Sequence, residues 1–339
     1  MSEAGEEHRH GPAEIDTYGL PFPPRINPHY QAILPRHIDW VREKQLVTQE
    51  ALDYYQKCAC PELAARVYPD APAEAFEGLA RFIGWTAFYD DQFDGPDGRD
   101  PARARERIQG CLEVMESHSA PPKVSHPLDR AFAEIWAGTV SARSDQWRER
   151  FKKHCRLYLF GYVYEASVRS QGKVQSLEEY DRHRNDEGGV PPSFDLIEAA
   201  GDFEVAPALV DAPEMAAMRD HAGHVLCLAN DLASLAREAT LQEVVGNRVL
   251  LLQHHQGMSR VQAVAAIEDL IRGHVSGFLT QASLLRQSAL YTSATAPARR
   301  DAERFIQGMG DWMRGNLDWQ ARTARYHGGW QILDSQPSG

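Results

Sequence analysis

Three aspartates, Asp90, Asp91 and Asp94, close an apolar run in the stretch Phe88-Tyr89-Asp90-Asp91-Gln92-Phe93-Asp94. Phe76, Leu79, Phe82, Ile83 and Ala87 recur before them at helical spacing, so the pattern predicts a helix stripe running into Asp90 and Asp94. Residues four apart share a helix face, which sets Asp90 and Asp94 one turn apart and Asp91 about 100° round. A core-facing stripe that ends in carboxylates is costly unless their charge is compensated. A cation does this, and hard oxygen donors at turn spacing suit Mg²⁺, which keeps several waters and takes one or two carboxylates with a substrate phosphate. In isolation D-D-x-x-D reads equally as a solvated helix end. A calcium loop does not fit, because its third position falls on Gln92 and its twelfth on Pro101, where a bidentate Glu is needed.

A second oxygen-rich row lies 140 residues further on. Asn230, Ser234 and Glu238 stand at i, i+4 and i+8, so amide, hydroxyl and carboxylate oxygens line one helix face. Val225, Leu226, Leu228, Leu232 and Leu235 make the rest of that helix apolar. Such a row chelates a hard cation. A polar stripe on a surface helix explains Ser234 as easily, but not the pairing of this row with a distant acid cluster.

These rows need helices to carry them, and helical periodicity hardly stops after His29. The spacing predicts helices over 31–45, 48–58, 60–68, 73–93, 101–118, 126–144, 145–171, 176–184, 193–202, 212–239, 240–256, 259–288 and 297–325, with Thr48, Ser125, Ser144 and Ser259 as caps. Alternating strand patterns are nearly absent, there is no internal repeat, and breaks such as Gly188-Gly189-Val190-Pro191-Pro192 are short. The expectation is an all-α fold: a polar, disordered segment over 1–20, then one α-helical domain over 21–339. Pro21 to Pro28 forms an extended entry that its prolines keep from being helical.

The order and spacing of the motifs resemble those of class I terpene synthases of the bacterial type. The likeness rests on D-D-x-x-D, followed by N-D-x-x-S-x-x-x-E. It extends to Pro21-Phe22-Pro23 with Arg25-Ile26-Asn27-Pro28, to Glu178-Glu179-Tyr180 with Arg182-His183-Arg184, and to Asn316-Leu317-Asp318-Trp319 with Arg325-Tyr326. The resemblance implies an α-helical barrel around an apolar active-site cavity. Asp90, Asp91, Asp94, Asn230, Ser234 and Glu238 would face each other across its mouth and hold three Mg²⁺ ions with a substrate diphosphate. It further implies that Arg184, 46 residues before Asn230, senses the diphosphate, and that Arg237, Arg325 and Tyr326 add donors. Arginine suits forked contacts with phosphate. Glu187 and Gly188 fall where the family has a linker residue and a glycine whose carbonyl assists ionisation, although Asp186 replaces the usual threonine. Trp319 matches a cavity-lining position, and Phe82 and Tyr164 are taken as inward-facing. Thr86 and Ala87 stand where the family often has aromatics, which implies a wider pocket or aromatics supplied from elsewhere.

The resemblance therefore implies a Mg²⁺-dependent lyase that ionises and cyclises an isoprenyl diphosphate, with farnesyl diphosphate expected and geranylgeranyl diphosphate as the alternative. A chain-elongating prenyltransferase would need a second D-D-x-x-D, and Asp90-Asp91 is the only Asp-Asp pair. A non-catalytic isoprenoid-binding protein has no reason to keep the full metal and arginine set. The net charge of −12 in 339 residues, spread along the chain, argues against nucleic acid. No stretch approaches the ~20 apolar residues of a membrane span, and the polar opening is not that of a signal peptide. Five cysteines without metal-ligand spacing read as reduced thiols, so a cytoplasmic location is expected. Homodimerisation is left open.

Overall fold

In a computed structural model the chain is described over residues 17–117, 124–240 and 246–326, and no strand occurs among them. The helices are α1 (Tyr30–Glu43), α2 (Gln49–Cys58), α3 (Cys60–Val67), α4 (Ala73–Asp91), α5 (Pro101–Glu116), α6 (Pro127–Val140), α7 (Asp145–Ser170), α8 (Leu177–Glu187), α9 (Val190–Gly201), α10 (Pro207–Val210), α11 (Pro213–Thr240), α12 (Arg248–Gln256), α13 (Arg260–Gln287), α14 (Ala289–Ser293) and α15 (Ala296–Gln320). Short 3₁₀ turns cover Pro96–Arg99 and Ala324–Tyr326. None of these helices is long and apolar enough to cross a membrane. Residues 1–16 of the expected disordered segment lie outside the described residues. Residues 17–20 are packed, with Leu20 buried against the core.

Polar side chains fix where the helices begin. Thr48, Ser144 and Ser259 accept from backbone N–H groups in the first turns of α2, α7 and α13. Ser176 and Glu179 close a reciprocal capping box on α8. Ser125 is not a cap. Pro127 takes the first helical position of α6, which moves the cap to His126, whose Nδ1 accepts from the Leu128 N–H at 3.2 Å. Pro191 and Pro192 likewise sit in the first turn of α9, so that helix starts at Val190 rather than 193.

Helices α3, α4, α7, α8, α9, α11 and α15 enclose a cavity of about 240 Å³. α13 packs along the outside of α11, while α5 and α6 back α7 and α4. The proline-rich entry straps the bottom of α3. Asn27 is buried and donates to the carbonyls of Tyr68 and Ala71 at 2.9 and 2.8 Å, and Arg25 pairs with Asp311 on α15 at 3.0 Å. The five cysteines are all free and buried.

Candidate active site

α4 delivers the first acid cluster, and it stops earlier than the periodicity suggests. The helix ends at Asp91, and the chain continues in tight turns in which Phe93 N–H bonds the Asp90 carbonyl (3.0 Å) and Asp94 N–H that of Asp91 (3.4 Å). Asp94 therefore follows Asp90 through tight i,i+3 turns rather than on a continuous α-helix. The loop then folds back so tightly that a Cβ on Gly98 would lie 1.7 Å from the Phe93 carbonyl oxygen, which leaves room only for glycine.

The three aspartates meet arginines from two other parts of the chain. Asp94 pairs with Arg237 of α11 at 2.6 Å. Asp90 and Asp91 share one nitrogen of Arg325 at 2.9 and 3.3 Å. Arg325 reaches them because α15 ends at Gln320 rather than continuing to 325. The chain then turns back over the mouth, with the Thr323 hydroxyl bonded to the Cys58 carbonyl at 2.7 Å. Tyr326 follows, its hydroxyl accepting from Asn230 Nδ2 at 2.7 Å. One short C-terminal turn thus touches both oxygen rows.

On α11, Asn230 also accepts from Arg184 at 3.0 Å, Ser234 donates to the Asn230 carbonyl, and Glu238 accepts from Asn247 at 2.6 Å. Asp231, which sequence reasoning passed over, accepts from the same Arg184 nitrogen, Nη2, at 2.9 Å. It is fully buried and also accepts from the Tyr180 hydroxyl (2.6 Å) and the Arg248 N–H (2.7 Å). The acidic position of this motif that faces away from the cavity therefore orients Arg184 and joins α8, α11 and α12. The motif letters N-D-x-x-S carried that signal. Arg184 lines the cavity, and its buried Nε has no hydrogen-bond partner among the described residues.

Beneath the mouth, α8 runs on to Glu187, and Gly189 adopts a left-handed φ of +65° that turns the chain into α9. Glu187 and Gly188 both line the cavity. Burial pushes the Glu187 carboxyl up, and the neighbouring Glu165 adds to the push. Thr86, Ala87 and Trp319 line the cavity too, and the Trp319 indole N–H is fixed by the carbonyls of Cys58 and Ala59. Phe82 and Tyr164 do not line it. Phe82 lies one residue off the cavity face of α4 and packs among Trp85 and Phe151 in the core. Tyr164 points to the outside of α7, its ring 4.3 Å from His183. The aromatics missing at positions 86 and 87 are supplied instead by Tyr158, Tyr162 and Trp312. The two tyrosine hydroxyls are bonded to each other at 2.5 Å, and Tyr162 reaches Asp90 at 3.4 Å. Phe151, Cys155, Tyr158, Tyr162 and Ala166 recur along α7 at steps of three and four, a stripe that marks Tyr158 and Tyr162 as inward.

The donor set suits a hard divalent cation. It consists of carboxylate, amide and hydroxyl oxygens, and its buried acids are undercompensated by the protein. Burial pushes Asp91 up to about 7 against the pull of Arg325, and Glu238 up to about 7 despite Asn247. Among the described residues, no three His, Cys, Asp or Glu side chains close into a cage by themselves. In their place Arg237 pairs with Asp94, and Arg325 with Asp90 and Asp91.

Residues 81–276 match the family described as terpene synthase family 2, C-terminal metal binding. Pristinol synthase of Streptomyces pristinaespiralis is 32% identical over 91% of this chain and 83% of its own length. Pentalenene synthase of Streptomyces avermitilis is 30% identical over 96% of each chain, and the (−)-β-caryophyllene synthase of Saccharothrix espanaensis is 30% identical over 91% of this chain and 88% of its own. Among solved structures, germacradien-4-ol synthase from Streptomyces citricolor superposes with a TM-score of 0.81 at 27% identity, covering 93% of this chain and all of that one. The linalool/nerolidol synthase from Streptomyces clavuligerus, in complex with 2-fluorogeranyl diphosphate, gives a TM-score of 0.78 at 26% identity over 89% and 97%. An all-α barrel whose mouth gathers both oxygen rows, with sequence likeness along nearly its whole length, places this chain in the class I terpene synthase family of the bacterial type.

Proposed function

We propose that this enzyme is a Mg²⁺-dependent cyclase of farnesyl diphosphate that releases diphosphate and a cyclic sesquiterpene. The observation that carries the reading is the joined mouth. Asp94–Arg237, Asp90–Arg325 and Asn230–Tyr326 draw the two oxygen rows together over one aromatic-lined cavity. Asp90, Asp91 and Asp94 on one side, with Asn230, Ser234 and Glu238 on the other, would hold the three expected Mg²⁺ ions. Bound there, the ions supply Lewis acidity that stabilises charge on the leaving diphosphate.

The protein's own groups do the rest. Arg184, with a buried donor to spare, and Arg237, Arg325 and Tyr326 at the rim offer N–H and O–H groups to the departing anion. Arg237 and Arg325 exchange carboxylate partners for phosphate when it enters. The carbonyl of Gly188 and the side chain of Glu187 border the point where the allylic carbon sits. Below, Trp312, Trp319, Tyr158 and Tyr162 present π-faces to the carbocation, an attraction worth about 2 kcal/mol or more in a desolvated site. The covering turn over Ala324–Tyr326 keeps bulk water out.

A C15 substrate is favoured by size. The cavity of about 240 Å³ lies below the ~300–1,000 Å³ of ordinary ligand sites, and Tyr158, Tyr162 and Trp312 fill the room that Thr86 and Ala87 leave. The Saccharothrix relative is named for cyclising (2E,6E)-farnesyl diphosphate. The free cysteines suit a reducing, cytoplasmic setting.

The test is incubation with farnesyl or geranylgeranyl diphosphate, with and without Mg²⁺, followed by gas chromatography of the extract. A cyclic C15 product that disappears with chelator is expected. Exclusive C20 product overturns the substrate, a longer diphosphate indicates an elongase, and no product indicates a binding protein. Independently of turnover, Mg²⁺ with inorganic diphosphate raises the melting temperature if this mouth binds both.

A further inference from the structure

One stripe of α15 faces the cavity: Trp312, Asn316, Trp319 and Gln320 all line it. Two members of the stripe are amides one turn apart, Asn316 about 6 Å deeper along the helix than Gln320. Each is only 7% exposed. Among the described residues neither side chain makes a hydrogen bond with the protein, whereas Trp319 and Thr323 beside them are both bonded to the Cys58 carbonyl. Amides this little exposed are ordinarily partnered within the protein. A carbocation pocket has a particular reason to avoid them, because apolar and aromatic walls would serve the cation without unpaired polar groups. The rim already has Arg184, Arg237, Arg325 and Tyr326 for the anion, so the amides are not needed there.

We infer that Asn316 and Gln320 hold a water molecule inside the cavity, and that this water ends the reaction by adding to the final carbocation, so that the product is a terpene alcohol. Two amides offer two carbonyl acceptors and two NH₂ groups, enough to give one water the two to four polar partners it needs, in a cavity far roomier than the ~10–15 Å³ minimum. A lone pair of the water oxygen forms the new C–O bond to the cationic carbon. The resulting oxonium loses one proton to the released diphosphate, the strongest base that ionisation leaves in the site. No oxidant or reductant is required. The amides bind the water through its hydrogens and lone pair and do not themselves react, so both are positioning residues. The inference rests on the cyclase reading, and diphosphate release is measured alongside so that the two can fail separately.

The experiment uses the full-length protein with farnesyl diphosphate and Mg²⁺ in ¹⁸O-enriched water, with product masses and released diphosphate counted together. Wild type is expected to give mainly an alcohol carrying ¹⁸O. In Asn316→Leu and Gln320→Leu the ratio of alcohol to hydrocarbon is expected to fall about tenfold or more, whatever the total turnover. That ratio does not move for a merely structural defect. Diphosphate release with hydrocarbon alone overturns the inference while leaving the cyclase reading intact. An alcohol without ¹⁸O, or a ratio unchanged in both variants, also overturns it. No diphosphate release from wild type overturns both. The wild-type labelling decides even where a variant does not fold.

Discussion

Glu238 and Arg184 are both charged groups in a dry wall, yet they should respond differently to substitution. Glu238 lies on the outer end of the α11 row, half-buried, and accepts a hydrogen bond from Asn247. Glu238→Gln keeps the helix, since Gln is an equal helix former, and keeps an acceptor for Asn247. Turnover should fall roughly 10²-fold or more, the scale for one lost electrostatic contact in a reacting site. The check is kcat across a Mg²⁺ titration, and near-wild-type activity with unchanged Mg²⁺ dependence removes Glu238 from the site. Arg184 has two jobs. It lines the cavity and neutralises the fully buried Asp231. An arginine that only faced a ligand would contribute little to the empty protein. The ion pair with Asp231 changes that expectation, because removing one partner of a buried pair costs ~3–5 kcal/mol. Arg184→Ala should therefore lose both activity and several degrees of melting temperature. Arg184→Lys should recover much of the stability but little of the activity, since a lysine lacks the planar fork. A variant at position 184 that keeps activity while melting early would make the arginine structural only.

Elements place these residues, and the ends of elements are where sequence reasoning went astray. The helical periodicity marked nearly every helix, and Thr48, Ser144 and Ser259 were readable as caps because their hydroxyls do one local job. The two motif-bearing ends were not readable in the same way. Asp94 and Arg325 continue an apparently helical pattern, but α4 ends at Asp91 and α15 at Gln320, and beyond those ends Asp94 pairs with Arg237 and Arg325 with Asp90 and Asp91. Inward faces were legible through the family resemblance at Thr86, Ala87 and Trp319, whereas the counted stripe put Phe82 with Ile83 and Ala87, and only the latter two line the cavity. They were lost where a helix is apolar on several sides. α7 packs against α5, α8 and α9, so Tyr164 resembles Tyr162 in composition while pointing about 200° away. Gly98 gives a test at this scale. The loop after α4 brings Gly98 against the Phe93 carbonyl and lets Arg169 bond the Gly98 carbonyl at 3.3 Å. Gly98→Ala must open the loop and shift Asp94 away from Arg237. A misplacement of about 1 Å at a reacting site can cost ~10²-fold, so a loss of that order is expected in steady-state assays, together with a lower unfolding midpoint, because the atoms that must move are backbone. If activity survives intact, the position of Asp94 does not matter to catalysis.

At the scale of the whole molecule, stability against acid depends on groups far from the mouth, and His37 is the clearest. It lies on α1, fully buried, with Nε2 2.7 Å from the Tyr55 hydroxyl and its ring beside Trp40 and the guanidinium of Arg81. A Cβ on Gly84 of α4 would strike both the Tyr55 hydroxyl and the His37 ring, so the pocket has no room to rearrange. Burial, with Arg81 adding to it, pushes His37 down to about 3 from an ordinary value near 6.5. The sign follows from where the proton goes. Between pH 6.5 and 3 the unfolded chain takes up a proton that the folded chain refuses, so stability present above 6.5 drains away as pH falls through that window. The slope is about 1.4 kcal/mol per pH unit from this one group. Other acids and histidines titrate in the same range, so the informative quantity is the difference between wild type and His37→Gln, in which the amide can still bond Tyr55 but cannot take a proton. Urea unfolding at pH 6.5 and pH 5 should show wild type losing about 2 kcal/mol more than the variant over that interval. Parallel losses in the two proteins would mean that His37 is protonated in the native core, and that the buried site accepts a charge its surroundings give no means to stabilise.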